Sequence, residues 1–425
     1  MVLIAVFVLL VFGYSLVSQR LQRTVITAPM LFTFAGAATI LLPEAARELV
    51  VDRELLLLFA ELGLVMLLFT DASRISPSVL TAGRSLPLRL LGVGTPLTIV
   101  LGAACAIVVL SGLSWWEAAI LGAILAPTDA GLGQVIVDSE RVPLRIRQGL
   151  NVEAGLNDGL SVPFLMLFIV LAVAKDNTVS AGGVFVRLLG EQLGYGTLIG
   201  IGIGGLGGWL LGVAHRRQWM APSLGQLGVV ALPVLCVIVA EATAASMFIA
   251  AFVAGFAAQF AYKDAGRRSV EFAEDWGQLF NYFVFFFFFG TSVADIWGSF
   301  TPDVLLYAVL SLTVVRMVPV ALALLGTRLS RATVLFMGWF GPRGLASIVL
   351  GLVYLEREAN LPGTPTIRLA VIATVLLSIF AHGMSAQPGI NLYARRIAGL
   401  DETSPEHLVP GDGSPEPPHG PRVGT

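Results

Sequence analysis

The chain has 425 residues, of which 56% are hydrophobic and only 13% are charged, with a formal net charge of -2. A soluble protein of this size needs more charge on its surface, so the composition points to an integral membrane protein, and the near-neutral balance excludes bulk attraction to nucleic acid. Apolar runs of about 20 residues recur along the chain, each long enough to cross about 30 Å of hydrocarbon. They lack the short apolar–polar alternation of a β-barrel, so the expected class is an all-α membrane protein.

Thirteen spans are predicted, at 2–18, 25–42, 54–70, 86–110, 115–137, 146–173, 183–214, 226–242, 245–262, 277–297, 302–327, 331–354 and 368–393. The first starts at Val2 with no small-residue cleavage site behind it, and reads as a retained span. Loops after odd-numbered spans hold about 17 Lys and Arg, including Arg20, Arg23, Arg74, Arg84, Arg141, Arg145, Arg147, Arg216 and Arg217. The other side holds about 6: Arg47, Arg53, Lys175, Arg187, Arg357 and Arg368. This asymmetry puts the odd-side loops and the C-terminus in the cytoplasm and the N-terminus outside, in the cell membrane.

Cys105 and Cys236 each lie in an apolar span and read as packing residues. Span seven carries Gly196, Gly200, Gly204, Gly208 and Gly212, a strip that lets a second helix approach closely. Its Gly200–Gly205 segment formally matches a dinucleotide pattern, but no strand precedes it, so packing is the reading. In span ten, Phe285 to Phe289 cover every face of the helix, which marks lipid or core contact. From residue 397 the composition turns to Pro, Gly, Ser and Glu, as in a short disordered tail.

The chemistry concentrates between Ala126 and Asp158, where Asp129, Glu153 and Asp158 sit inside apolar sequence. A charge in lipid is costly, so such residues line a water-filled site or a proton relay. Pro127 breaks span five in its middle, and Gly341-Pro342-Arg343-Gly344 does the same in span twelve. Two interrupted helices seven spans apart point to an inverted repeat, spans four to six against eleven to thirteen, with a site at their interface. Free half-helix ends carry partial charges, so Asp129 is expected to face the positive ends and Arg343 the negative ones.

In span six, Glu153 and Asn157 share a face, whereas Asp158 lies about 140° around the helix from Glu153. The two carboxylates should therefore have different tasks. Asp158 is expected to face the cavity and to hold the cation or the proton. Glu153 needs a buried partner, and Arg316 is the cationic residue deep in span eleven. The expected structural pair is Glu153–Arg316, with Asn157 hydrogen-bonded beside it; the alternative is that Glu153 is itself an ion ligand. Glu61, Glu241 and His382 read as packing or satisfied core residues, and His215 as a weak pH-sensing candidate.

Thr128-Asp129 in a broken fifth helix, Glu153-x-x-x-Asn157-Asp158 in the sixth, Arg316 in the eleventh and Gly341-x-Arg343-Gly344 in a broken twelfth resemble the monovalent cation/proton antiporters. The branch they are most similar to is the sodium/proton exchangers with an Asn-Asp pair in span six. Ala240-Glu241, Ser246, Gly255 and the Phe-rich segment ending at Gly290 add to the resemblance. It implies a homodimer with interface helices at 1–82 and 176–300, a moving core at 83–175 and 301–396, and a tail at 397–425. It also implies an elevator-like movement that exposes Asp158 to each side in turn. Electrogenic relatives carry an Asp-Asp pair and a lysine in span ten. Asn157 and the lack of a span-ten lysine here imply electroneutral exchange. Two positions depart from the family: Ala130 stands where proline is usual, and Ala154 where ion-binding members often have serine.

The expected activity is thus exchange of Na+, with K+ or Li+ as alternatives, for H+. Asp158 would be occupied by either guest, with Asp129 and Thr128 supplying further oxygens and Pro127, Pro342 and Arg343 shaping the breaks. No cofactor and no enzymatic reaction are implied. The rival readings are a cation channel or uniporter, for which no carbonyl-lined filter motif is present, and an intramembrane aspartyl protease using Asp129 and Asp158.

Overall fold

The computed structural model describes residues 2–21, 24–42, 53–75, 85–173, 181–243, 245–262, 267–296, 298–356, 361–401 and 404–406. Arg23, Arg47, Arg84, Lys175, Lys263, Arg357 and the tail beyond residue 406 lie outside the described residues. Among those described, every regular element is helical.

The described residues form thirteen helical segments. They begin with α1 (Val2–Leu21), α2 (Ala28–Ala38) and α3 (Arg53–Ser73). α4 comprises Ser85–Arg89 and Thr95–Val109, joined by a wide turn at Leu90–Gly94. α5 is split into α5a (Trp115–Ile124) and α5b (Ala130–Val137), and α6 spans Leu144–Val173. α7 runs from Ala181–Leu189 to Gly207–Arg216 with two wide turns between, followed by α8 (Pro222–Thr243), α9 (Met247–Ala261) and α10 (Arg267–Ile296). α11 comprises Pro302–Leu312 and Val314–Ala323. α12 is split into α12a (Arg331–Trp339) and α12b (Leu345–Glu356), and α13 spans Thr364–Ile397. Eight of these are long and apolar enough to cross a membrane: α1, α3, α4, α6, α7, α8, α11 and α13. α2, α5a, α9 and α12b are shorter apolar helices, and the breaks in α5 and α12 account for α5a and α12b.

Packing follows the sequence signals closely in two places. The α7 glycines meet the backbone of α9: a Cβ at Gly200 would overlap Ala250 O, one at Gly204 Ala254 O, and one at Gly212 would lie 3.1 Å from Ala261 O. Removing side chains from this strip lets van der Waals contact run backbone to backbone. The five phenylalanines from Phe285 to Phe289 are all buried, at most 7% exposed, because α10 lies against α2 and α3. Of the two readings for that run, core contact is the one realised.

α4–α6 and α11–α13 have the same order of elements, a broken helix between two continuous or kinked ones. The two broken helices cross at their unwound stretches, where Asp129 N donates to Pro342 O at 2.8 Å. The first described residues of the segment read as a tail have contacts. α13 ends at Ile397, but residues 404–406 are seated on the helix ends, with Glu406 buried and bonded to Ser330 and Thr333.

The seam makes a paired prediction. Gly204→Val should destabilise the fold by roughly 1–3 kcal/mol, as overpacking does. Gly205→Val, whose Cβ has nothing within 4 Å, should be close to neutral. Thermal unfolding of the two variants in detergent, followed by tryptophan fluorescence, measures the difference.

Candidate functional site

Four half-helix ends converge where α5 and α12 cross. Each end leaves backbone groups without intrahelical partners, donors at N-termini and acceptors at C-termini. Asp129 serves both N-terminal ends. It is the N-cap of α5b, its Oδ1 accepting from Leu132 N at 3.1 Å, and its Oδ2 accepts from Leu345 N at 2.5 Å at the start of α12b. Gly344 is required for this: a Cβ there would overlap Asp129 Oδ2.

The C-terminal ends are met by cations and donors. Arg343 is fully buried, and its Nη1 donates to Ala126 O and, at 2.8 Å, to Pro127 O beyond the end of α5a. His382 Nε2 lies 2.9 Å from Trp339 O, the last carbonyl of α12a. A carbonyl only accepts, so Nε2 is the donor. Ser378, one turn before His382 on α13, accepts from Arg343 N at 2.7 Å and lies 3.1 Å from His382 Nδ1. The two prolines, Pro127 and Pro342, lie in the unwound stretches themselves.

α6 passes beside the crossing and presents its polar residues in two directions. Glu153 forms a two-point ion pair with Arg316, Oε1–Nη1 2.5 Å and Oε2–Nη2 2.9 Å, with both side chains at most 2% exposed. Parallel guanidinium–carboxylate bonds of this kind are the strong form of the pair. Gly341 makes room for it, because a Cβ there would overlap the Arg316 guanidinium. Asn157 does not join that pair. Its Nδ2 donates instead to Thr128 Oγ1 at 2.8 Å, which ties α6 to the unwound stretch of α5. The reason is the helical position: Asn157 stands one turn beyond Glu153, level with the break and not with α11.

Asp158 is 3% exposed, and its charged neighbours include Asp129 and Asp71. Among the described residues, no donor reaches Asp158 Oδ1 or Asn157 Oδ1. A buried polar oxygen without a partner is rare and calls for an explanation. A cavity of about 170 Å³ runs from the face bearing Arg74 and Arg147 to Gly131, lined also by Asp71, Gln134, Asp138, Asn151 and Glu274. A Cβ at Gly131 would lie 3.2 Å from Asp129 Oδ1, so the cavity ends next to the crossing. A second cavity, of about 540 Å³, opens among α3, α6, α7 and α8 and is lined by Glu61, Glu191 and Glu241.

A profile of the family described as "Sodium/hydrogen exchanger, transmembrane" matches residues 3–391. The chain belongs to the sodium/hydrogen exchanger family. It is 24% identical over 355 residues to a K(+)/H(+) antiporter NhaP of Alkalimonas amylolytica, covering 82% of this chain and 60% of that protein. It is 29% identical over 116 residues to Na(+)/H(+) antiporter 2 of Zygosaccharomyces rouxii, covering 26% of this chain and 14% of that one. The chain thus spans less than two thirds of the length of these relatives. The fold is similar to that of the sodium proton antiporter MjNhaP1 from Methanocaldococcus jannaschii, with a TM-score of 0.71 at 19% identity, over 94% of this chain and 100% of that one.

Within this exchanger-family chain the structure brings together Thr128, Asp129, Asn157, Arg343, Pro127 and Pro342 at the crossing, and Glu153 with Arg316 beside it. Several residues at or near the site were not singled out from sequence. Asp71 closes an apolar run at the end of α3, and that position was its only signal. Ser378 is spaced four residues from His382, one helical turn, which marks a shared face but not its neighbour. Gln134 Nε2 donates to Glu274 Oε1 at 3.0 Å across the cavity, and neither residue carries a motif.

Glu153→Gln should leave Arg316 buried without its counter-charge and destabilise the protein by roughly 3 kcal/mol or more. Asp158→Asn removes a buried carboxyl that has no donor of its own at Oδ1, and should leave stability unchanged or raised. Unfolding midpoints in detergent at neutral pH measure both.

Proposed function

We propose that this protein exchanges a monovalent cation for a proton, with Asp158 as the group both guests use. The observation that carries the reading is that two successive residues of α6, Asn157 and Asp158, each keep a buried acceptor oxygen without a donor, and Asn157 is bonded to Thr128 in the break of α5. Hard cations are bound by oxygen, so acceptors left open in this way suit a small cation. Thr128 fixes Asn157, and a proton on Asp158 is the alternative occupant. A bare carboxylate is costly in lipid, so only the loaded site would cross.

Asp129 keeps the part of facing the positive half-helix ends and is given no direct ion contact in this proposal. Both its oxygens already accept from backbone amides, so in this proposal it holds the half-helices and adds negative potential, and Asp158 is the exchanging group. Arg343 and the two prolines keep the breaks open, and Glu153–Arg316 fixes α6. Sodium is the cation first proposed, with potassium or lithium as alternatives. One carboxylate per site, with Asn157 beside it and no lysine in α10, favours electroneutral exchange.

The proposed cycle moves a core of residues 83–175 and 301–396 against interface segments 1–82 and 176–300 of a homodimer in the cell membrane. The N-terminus would be outside and the C-terminus cytoplasmic, in a protein serving pH homeostasis. A channel would need a carbonyl-lined filter, and no such motif is present in the sequence. A protease would need Asp129 and Asp158 to share a proton, and the amides on Asp129 oppose that.

Proteoliposomes with a pH gradient test the proposal. Addition of Na+ or K+ should dissipate the gradient for the native protein, without net current under clamped voltage. Asp158→Asn should reduce this to the protein-free rate. Residual exchange above a tenth of the native rate in that variant would contradict a single shared site.

A further inference from the structure

The two half-helices that lead into the crossing, α5a and α12a, both open on a serine N-cap and differ in the residue three positions on, which closes the cap. α5a opens Ser114-Trp115-Trp116-Glu117. Ser114 Oγ accepts from Glu117 N at 3.3 Å, and Glu117 Oε2 accepts from Ser114 N at 2.8 Å, a complete capping box. α12a opens Ser330-Arg331-Ala332-Thr333, and Ser330 Oγ likewise accepts from Thr333 N at 3.2 Å. Threonine at this position is too short to reach back to Ser330 N. That second bond is made by a residue from the far end of the chain: Ser330 N donates to Glu406 Oε1 at 2.7 Å, and Thr333 Oγ1 donates to the same oxygen at 2.9 Å.

Glu406 is 2% exposed. Tyr393 OH on α13 lies 3.0 Å from Thr333 Oγ1, and Arg145 Nη1 at the start of α6 donates to Pro405 O. The segment 404–406 is therefore held by two helices at once, α6, which carries Asp158, and α12a, which leads to Arg343, while α13, which carries Ser378 and His382, bonds to Thr333 through Tyr393.

We propose that Glu406 is a positioning residue that completes the capping box of α12a in trans, making the start of the tail a working part of the unit that contains both broken helices. α12a has nine residues, too few to be stable without its ends fixed. Its C-terminal end is held by His382 and its N-terminal end by Glu406. Fraying of the first turn would let the helix tilt about Trp339 and shift the Gly341–Gly344 stretch without any change at the cation ligands. Burial alone would raise the Glu406 carboxyl, but the bonds from Ser330 and Thr333 outweigh it and hold it below the ordinary range. Arg145 and Tyr393 are the charged and titratable groups that face it. The cap is thus ionised throughout the neutral range, and the device is a mechanical one, not a pH switch. Anything that draws residues 404–406 away would act on the crossing from outside the membrane.

The transport part of the test rests on the proposed exchange; the structural part does not. Full-length native protein, Glu406→Ala, Glu406→Gln and Glu406→Ala with Thr333→Glu are compared by amide hydrogen exchange in detergent and by cation-dependent proton flux in proteoliposomes. Glu406→Ala should lose protection at the amides of 330–334 and keep it at 114–118, whose cap is in cis. Its maximal flux should fall roughly three- to tenfold, the range for loss of one cap, at unchanged apparent cation affinity. Glu406→Gln keeps an acceptor oxygen and should stay near native, and Thr333→Glu should restore the alanine variant by supplying the carboxylate in cis. Unchanged protection at 330–334 in Glu406→Ala, or equal loss at both helices, would overturn the proposal. If the native protein moves no protons, the exchange reading fails, and hydrogen exchange still decides the cap.

Discussion

A single carboxylate holds the N-termini of two half-helices that belong to different ends of the sequence. Each such end carries about half a positive charge, and two of them brought together in lipid repel. Asp129 neutralises both by accepting from Leu132 N and Leu345 N. Arg343 and His382 do the complementary task for the opposite ends, through Pro127 O and Trp339 O. Without these contacts the unwound stretches would expose unpaired backbone groups in a medium that offers no replacement.

The division of labour in α6 follows from this. Because Asp129 is engaged by amides, and Glu153 is closed in a two-point pair with Arg316, Asp158 is the carboxylate of the three that keeps an oxygen with no donor. The glycines of the α12 break are set by the same geometry. Gly341 yields space to Arg316 and Gly344 to Asp129, so the motif around Arg343 encodes two neighbours, one on the preceding helix and one in the opposite half of the chain. The α7–α9 glycine seam lies elsewhere, in the proposed interface part, where backbone-to-backbone contact makes a rigid frame against which a core could move.

The breaks in α5 and α12 were legible because proline acts locally: Pro127 and Pro342 remove a donor wherever they stand. Glu153 and Arg316 were legible for a similar reason, since few charges lie deep in apolar runs and each needs a partner. The bond of Asn157 was harder to read. Periodicity places Asn157 on the face of Glu153, but its partner Thr128 is set by how α6 lies against an unwound segment, which no helical wheel describes. The tail was least legible. Its composition argues for disorder, yet Glu406 finds Ser330 because α12a has threonine where a capping box has glutamate. That gap is visible in sequence only once the two broken helices are compared turn by turn. His382 was read as a satisfied core histidine, and its bond to Trp339 O satisfies it at a helix end that matters.

The central claim is that a cation and a proton compete for Asp158. Calorimetry of Na+ or K+ binding to the purified protein, repeated in buffers of different ionisation enthalpy at a pH where the site is protonated, counts the protons released per cation bound. A value near one for the native protein, with neither binding nor release in Asp158→Asn, is the expected result. Cation binding that releases no proton, or that survives in Asp158→Asn with its proton release intact, would contradict it.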